Sequence, residues 1–486
     1  MKFFKRAEKP SWIVSLIPFI VLISTLVIVI KVFGTGALDG GSQVALLFAS
    51  GVVVAISMFF YRIPWEEFED AILDNIRSIG TAVLILLLIG AVAGSWMVSG
   101  VVPTMIYYGM KVITPSIFLF ATCIICALIS IMTGSSWTTI ATVGVALIGI
   151  GTAQGYEAGW IAGAIISGAY FGDKISPLSD TTVLASSSSG TPLFTHIRYM
   201  MITTIPSFVI ALFVFLVVSL THEPADSAMT ADFASDLSAT FNISPWLLLV
   251  PVFAGVLIAR KVPAIQTLFL AAVIAGLFAL FFQPHILASI AGSNIPVKET
   301  PLSFLDGFKG LFISYYGSTA VETGNAALNE LVVTRGMSGM MNTIFLIISA
   351  VTFGGVLVGS GMLQSLTDIL LRFVRRRVSL VASTVGTGIF ADMVTGDQYL
   401  AIILTSSLYK KLYEDQGYES RLLSRSVEDS ATVTSVLIPW NSCGMTQATV
   451  LKVPTVEYLP YCLFNLISPV MSILISAIGY KIFRRK

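Results

Sequence analysis

The sequence predicts an all-α polytopic membrane protein of about ten spans. It is expected to comprise two inverted-topology repeats, each with a re-entrant hairpin and a broken helix, and to keep both termini in the cytoplasm. Three observations lead there: a strongly apolar composition, polar breaks inside apolar segments, and a self-match at a fixed offset. The 486 residues are 55% hydrophobic and 11% charged, whereas a soluble domain carries about 25% charged residues. The net charge of +1 gives no sign of a nucleic-acid partner; the implied surroundings are membrane lipid.

Apolar runs close to the ~20 residues needed to cross a bilayer occur at 11–33, 43–61, 79–99, 194–220, 244–259, 264–283, 340–360 and 457–482. The first, from Trp12 to Val32, lacks a small-residue cleavage site before Gly34 and therefore reads as a span, not a leader. Lys and Arg mark cytoplasmic ends. By that rule the N-terminal MKFFKR, Arg260-Lys261, the Arg375–Arg377 cluster and the final RRK lie inside. The acidic stretch with Glu223, Asp226, Asp232 and Asp236 lies outside. The chain then divides into two spans (1–61), a cytoplasmic amphipathic helix (62–78), the rest of repeat 1 (79–221), an external acidic loop (222–243) and repeat 2 (244–486).

Residues 62–78, RIPWEEFEDAILDNIRS, set Phe68, Ile72 and Ile76 among charges, the pattern of a helix lying on a surface. Two regions do not read as simple spans. Residues 115–153 are apolar arms around Thr133-Gly134-Ser135-Ser136-Trp137, and 379–413 are apolar arms around Thr395-Gly396-Asp397-Gln398. Each is read as a re-entrant hairpin with a polar tip; two full spans joined by a polar break fit as well. Between 284 and 339, Pro301–Tyr316 reads as a second surface helix and Gly317–Ser338 as a polar loop.

Broken helices are read at 157–190 and 425–450. In the first, GAYFGDKISPLSDTT brings Gly172, Asp173, Lys174, Pro177 and Asp180 into an apolar run. Gly and Pro let a helix break in lipid only where the freed backbone is satisfied inside the protein. Sliding the chain by 262 residues lays Thr133-Gly134 on Thr395-Gly396, Gln154-Gly155-Tyr156-Glu157 on Gln416-Gly417-Tyr418-Glu419, Pro177 on Pro439 and Pro192 on Pro454. An odd number of crossings per repeat would invert the second copy, the arrangement of alternating-access carriers. Chance agreement between two biased apolar sequences is the competing explanation.

Ionisable groups at membrane depth usually face a pathway. Asp173 and Asp180 flank Pro177, with Ser176, Ser179 and Thr181 beside them. Carboxylates, hydroxyls and unwound carbonyls are the oxygen donors a hard cation requires, and a carboxylate in low dielectric can alternate between a proton and a cation. Lys174 beside Asp173 offers a second reading, an ion pair that holds the break open. In the second half, Glu428 and Asp429 enter a helix that breaks near Asn441 and Ser442. Adjacent on a helix, the two carboxylates cannot share a face, and a solvated cluster with Arg421 and Arg425 is the alternative. At the tips, Gly134, Ser135, Ser136 and Gly396 shape the turns. Asp397 is either a ligand or a helix cap, and Asp392 lies one turn earlier. His196 reads as a surface residue.

Cys123 and Cys126 form a C-x-x-C, but without further ligands in an apolar run they read as small packing residues. No Ser-His-Asp grouping, HExxH or phosphate loop occurs, so no enzyme, cofactor or transition metal is expected.

FGDKISPLSDTT, preceded by TGSSWTT and followed by VEDSATVTSVLIPWNSCG, resembles the NhaC-type sodium/proton antiporters, part of a broad ion-transporter group. The resemblance spans most of the chain. It implies sodium-for-proton exchange, with sodium ion and proton as the transported species. Its alternative is malate/lactate-type organic-acid exchange, and a channel is a further reading. It also implies a homodimer with a scaffold and a moving transport unit.

Overall fold

The computed structural model describes residues 10–33, 40–222, 227–260, 262–292, 302–372, 374 and 376–484. The MKFFKR segment, Glu223, Asp226, Lys261, Pro301, Arg375, Arg485 and Lys486 lie outside the described residues. Among the described residues the chain is helical, with two isolated bridges and no strand.

The apolar helices α1 (Trp12–Phe33) and α2 (Gly41–Tyr61) pack together. The amphipathic α3 (Trp65–Ser78) follows Pro64 and carries Glu66 and Glu67 in its first turn, where the helix dipole favours acids. It buries Phe68 completely. Helices α4 (Gly80–Val98) and α5 (Val101–Val112) turn about Gly100; the hydropathy pattern alone assigns nothing to α5.

Then come α6 (Phe118–Thr133), α7 (Ser136–Thr139) and, beyond a π-turn at Ile140–Gly144, α8 (Val145–Ala153). Helix α9 (Ala158–Ile175) breaks before α10 (Asp180–Ser189), and the long α11 (Leu193–Thr221) follows.

The stretch expected to be an acidic loop instead holds α12 (Ser227–Thr240). Its Phe233 and Leu237, four residues apart, are buried, so an apolar stripe hidden among acids makes the helix. The turn into α13 (Leu249–Ala259) bends by 88°.

Helices α14 (Ala264–Phe282), α15 (Pro284–Ala291) and α16 (Phe304–Tyr316) come next, and a short α17 (Ala326–Val332) interrupts the segment read as a loop. Helix α18 (Met341–Gly359) packs on α3. An added Cβ at Gly355 would lie 2.9 Å from Ile72 Cα, so glycine sets that approach.

The chain finishes with α19 (Met362–Arg372), α20 (Arg377–Thr395), α21 (Gln398–Asp415) and α22 (Ser420–Val427), then α23 (Ser442–Leu451), α24 (Thr455–Tyr458) and α25 (Leu463–Ile478). Nine helices are long and apolar enough to cross a membrane, or up to eleven if each of two bent pairs is one span, among the described residues.

Helix ends coincide at the 262-residue offset. Helices α6 and α20 stop at Thr133 and Thr395, and Gly134 and Gly396 both follow at φ 65°. Helices α10 and α23 cover matching residues and end on left-handed Gly190 and Lys452. A non-glycine residue at positive φ is strained. The Lys452 ammonium compensates by capping the Glu330 and Leu331 carbonyls at 3.2 and 3.1 Å.

Helices α6 and α9 form the closest pair in the first half. An added Cβ at Gly168 would lie 2.1 Å from the Cys123 carbonyl oxygen, and one at Gly172 would lie 2.3 Å from that of Ala127. Small residues four apart let two backbones touch. Cys123 and Cys126 are free thiols, fully buried; Cys123 lies under Gly168.

Candidate functional site

Four helix starts define the site, each capped by its own side chain. Ser135 accepts from Thr138 N and Ser179 from Thr182 N in the first half; Asp397 accepts from Tyr399 N and Leu400 N, and Asn441 from Cys443 N, in the second. Ser, Asp and Asn suit these positions because their short side chains reach back to the orphan N–H groups of the first turn. Pro177 and Pro439 precede two of the four starts and bar the preceding helix from running through.

Each tip is tied to the neighbouring broken helix. Ser136 donates its N–H and its hydroxyl to Asp173 Oδ2 at 3.1 and 2.7 Å. In the second half, Ser442 N–H reaches the Gly396 carbonyl at 2.8 Å, and its hydroxyl reaches Asp397 Oδ2 at 3.2 Å. Gly134 is required at its tip on two counts: φ is 65°, and an added Cβ would lie 2.6 Å from Leu178 Cβ.

A cavity of about 390 Å³ opens between the tips, lined by Thr133, Ser135, Asp173, Asp180, Gln398 and Tyr399, with apolar walls from Ile85, Trp137 and Ile258. Asp173 is buried, and its Oδ1 makes no hydrogen bond among the described residues. Asp180 is exposed; its Oδ2 accepts from the Tyr399 hydroxyl at 2.7 Å and its Oδ1 from Thr181 N–H at 2.9 Å. Two carboxylates and several hydroxyls therefore face one space, and no Lys or Arg appears among its described lining residues. Such a donor set suits a hard monovalent cation carried as cargo. Among the described residues, no three His, Cys, Asp or Glu side chains converge as a metal centre.

The other predicted residues divide between framework and a second cluster. Ser176 donates to the Ile131 carbonyl at 2.8 Å, and Ser179 meets the Thr181 hydroxyl at 2.9 Å. Asp397 is fully buried and acts as a cap. Asn441 holds the Asp392 carbonyl at 3.0 Å. Glu428 and Asp429 lie apart from the cavity lining, in a π-turn (Glu428–Thr432) after α22.

That π-turn belongs to a buried charged cluster which rules out two alternative readings and overturns one expectation. Lys174 does not pair with Asp173. Successive helical residues point about 100° apart, and Lys174 turns to Asp429 Oδ1, with Ser468 Oγ at 2.9 Å. Glu428 and Asp429 are not solvated; both are 0% exposed, as is Arg425. His196 is no surface residue either. It too is 0% exposed, with Nδ1 2.9 Å from Ser424 Oγ and Nε2 4.0 Å from Glu428 Oε2. Sequence reasoning missed Tyr399 and gave Arg425 no buried role. The position of Tyr399 directly after a polar tip was the only signal, and Arg425 carried none beyond its four-residue spacing from Asp429.

With this geometry in place, the sequence profile of the Na+/H+ antiporter family matches residues 168–480, which include both breaks and the second tip. The chain belongs to the Na+/H+ antiporter family. Within that family it is 35% identical over 431 residues to the Na(+)/H(+) antiporter NhaC of Bacillus subtilis (strain 168), covering 88% of this chain and 91% of the relative. It is also 35% identical over 428 residues to the Na(+)/H(+) antiporter NhaC of Alkalihalophilus pseudofirmus, covering 88% of each. The Malate-2H(+)/Na(+)-lactate antiporter of Bacillus subtilis (strain 168) is 34% identical over 451 residues, covering 92% of each chain. Family membership and the nine to eleven apolar helices make this a multi-pass cell-membrane protein.

Proposed function

We propose that this protein exchanges sodium ions for protons by alternating access, with the cation bound in the cavity between the tips. The observation that carries this reading is the lining. Asp173, with an unpartnered carboxylate oxygen, and Asp180 are its only charged side chains among the described residues. Buried negative charge with hydroxyl neighbours selects a cation and repels a carboxylate substrate. An organic-acid exchanger needs a cation facing its substrate, and Lys174 is committed to Asp429. The malate/lactate alternative therefore lacks its key contact.

The coincident helix ends at the 262-residue offset support two related halves. In our reading they are inverted with respect to one another, with both termini cytoplasmic and a homodimer as the working assembly. Cysteine-accessibility labelling at α3 and α12 would place those faces, and cross-linking in membranes would read the assembly.

Everted vesicles carrying an imposed pH gradient test the function directly. Sodium alone should collapse the gradient in vesicles with the protein and not in vesicles without it. A collapse that needs malate or lactate and never occurs with sodium alone would overturn the reading.

A further inference from the structure

The cluster behind the cavity contains a polar pair that cation binding does not use. Ser424 Oγ donates to the Arg421 carbonyl at 3.1 Å. With its one hydrogen engaged there, it accepts from His196 Nδ1 at 2.9 Å. His196 in its neutral form then carries its proton on Nδ1 and turns a bare Nε2 lone pair towards Glu428 Oε2, 4.0 Å away. No hydrogen bond joins Nε2 to either Glu428 oxygen, the hydroxyl acting on Glu428 is that of Thr432 in its own turn, and both side chains are 0% exposed. Two acceptors facing each other in a dry interior need a hydrogen between them. Glu428 also opens a π-turn, a helix irregularity that often marks a functional position.

Around the pair, two buried cations, Lys174 and Arg425, face one carboxylate, Asp429. Lys174 is bonded to Asp429, which also accepts from Thr203 and Ser468 at 3.1 Å each. Arg425 Nε lies 3.9 Å from Asp429 Oδ2, with its guanidinium 4.8 Å above the Tyr199 ring. The charges acting on Glu428 are Lys174 and Asp173 of α9 and Asp429 of its own turn; those acting on His196 are Lys174 and Asp429. From α20, Asp392 is held by Thr434 at 2.9 Å. From α21, the Tyr409 and Tyr413 hydroxyls are taken by Thr387 and Thr384. Helix α25 contributes Ser468, and the titratable residue of α10, Asp180, faces the cavity.

We propose that Glu428 and His196 form the proton-binding site of the exchange, holding one proton on the Glu428 carboxyl against His196 Nε2, apart from the cation cavity of Asp173 and Asp180. With the proton in place the two side chains, 4.0 Å apart here, can approach to hydrogen-bonding distance. When it leaves, the Glu428 carboxylate offsets the one positive charge by which Lys174 and Arg425 exceed Asp429. Helix α9 links the two sites through neighbouring residues: Asp173 lines the cavity, and Lys174 holds the aspartate next to Glu428. This assignment rests on the sodium/proton reading and divides its two cargoes between two places.

Purified wild type, Glu428→Gln, His196→Gln and Asp173→Asn in proteoliposomes test it with two readouts: sodium-driven proton movement, and exchange of labelled for unlabelled sodium at equal concentration. Glu428→Gln should lose proton movement at least tenfold and keep sodium self-exchange. Asp173→Asn should lose both. His196→Gln, which keeps a polar group beside Glu428, should retain transport with its pH profile displaced by at least half a unit. Proton movement at the wild-type rate in Glu428→Gln, loss of both readouts in that variant, or an unmoved pH profile in His196→Gln would each overturn the assignment. A wild type that shows sodium self-exchange but no coupled protons, or neither activity, would contradict the sodium/proton reading itself, a separate outcome.

Discussion

Replacing Lys174 with Ala should be among the most destabilising single changes in this protein. Its ammonium is 0% exposed and bonded to Asp429 Oδ1 and to Ser468 Oγ at 2.9 Å. Truncation leaves the Asp429 charge buried with only two hydroxyl donors and an Arg425 nitrogen 3.9 Å away. Breaking a buried pair by removing one partner costs about 3–5 kcal/mol. Removing both charges, as in Lys174→Met with Asp429→Leu, takes the pair out together and forfeits hydrogen bonds of about 1 kcal/mol each, leaving Arg425, whose Nε lies 3.9 Å from Asp429 Oδ2, as the remaining buried cation. The double variant should therefore be less destabilised than the two single losses added together, with a coupling energy of at least ~2 kcal/mol in a double-mutant cycle. Thermal unfolding of the purified protein in detergent, followed by tryptophan fluorescence, reads these losses directly. Single-variant losses that simply add in the double variant would show that Lys174 and Asp429 do not hold each other.

Two further outcomes follow from the packing and from the cavity mouth. Gly172→Leu would drive a side chain into the Ala127 carbonyl, 2.3 Å from the position of its Cβ; overpacking should cost about 1–3 kcal/mol or more, seen as a lower unfolding temperature and a lower yield of monodisperse protein. Tyr399→Phe removes the 2.7 Å hydrogen bond to Asp180. Because that carboxylate is exposed, apparent sodium affinity should shift by no more than about tenfold, measured as the sodium concentration for half-maximal proton movement.

Local punctuation in the chain was readable without coordinates, and its partnerships were not. Gly134, Gly396, Pro177 and Pro439 bear on backbone conformation at their own positions, and helices end beside them. The cap role of Asp397 also lies within its own turn. By contrast, Lys174 meets Asp429 across 255 residues and His196 meets Ser424 across 228. Nothing in the pattern around Lys174 distinguishes a distant partner from the aspartate beside it, and an isolated histidine next to a loop looks the same whether it is solvated or buried. Helix α12 was missed because two apolar residues, Phe233 and Leu237, carry its buried face while acids dominate the composition around them.

The central claim is that Asp173 and Asp180 bind sodium in a cavity whose occupancy is exchanged for protons. Labelled-sodium uptake into proteoliposomes with an imposed pH gradient, compared between wild type and the Asp173→Asn and Asp180→Asn variants, tests it most directly. The account predicts uptake that follows the gradient in wild type and falls at least tenfold in both variants, with monodispersity and membrane insertion intact. Gradient-driven uptake in both variants at the wild-type rate would contradict it.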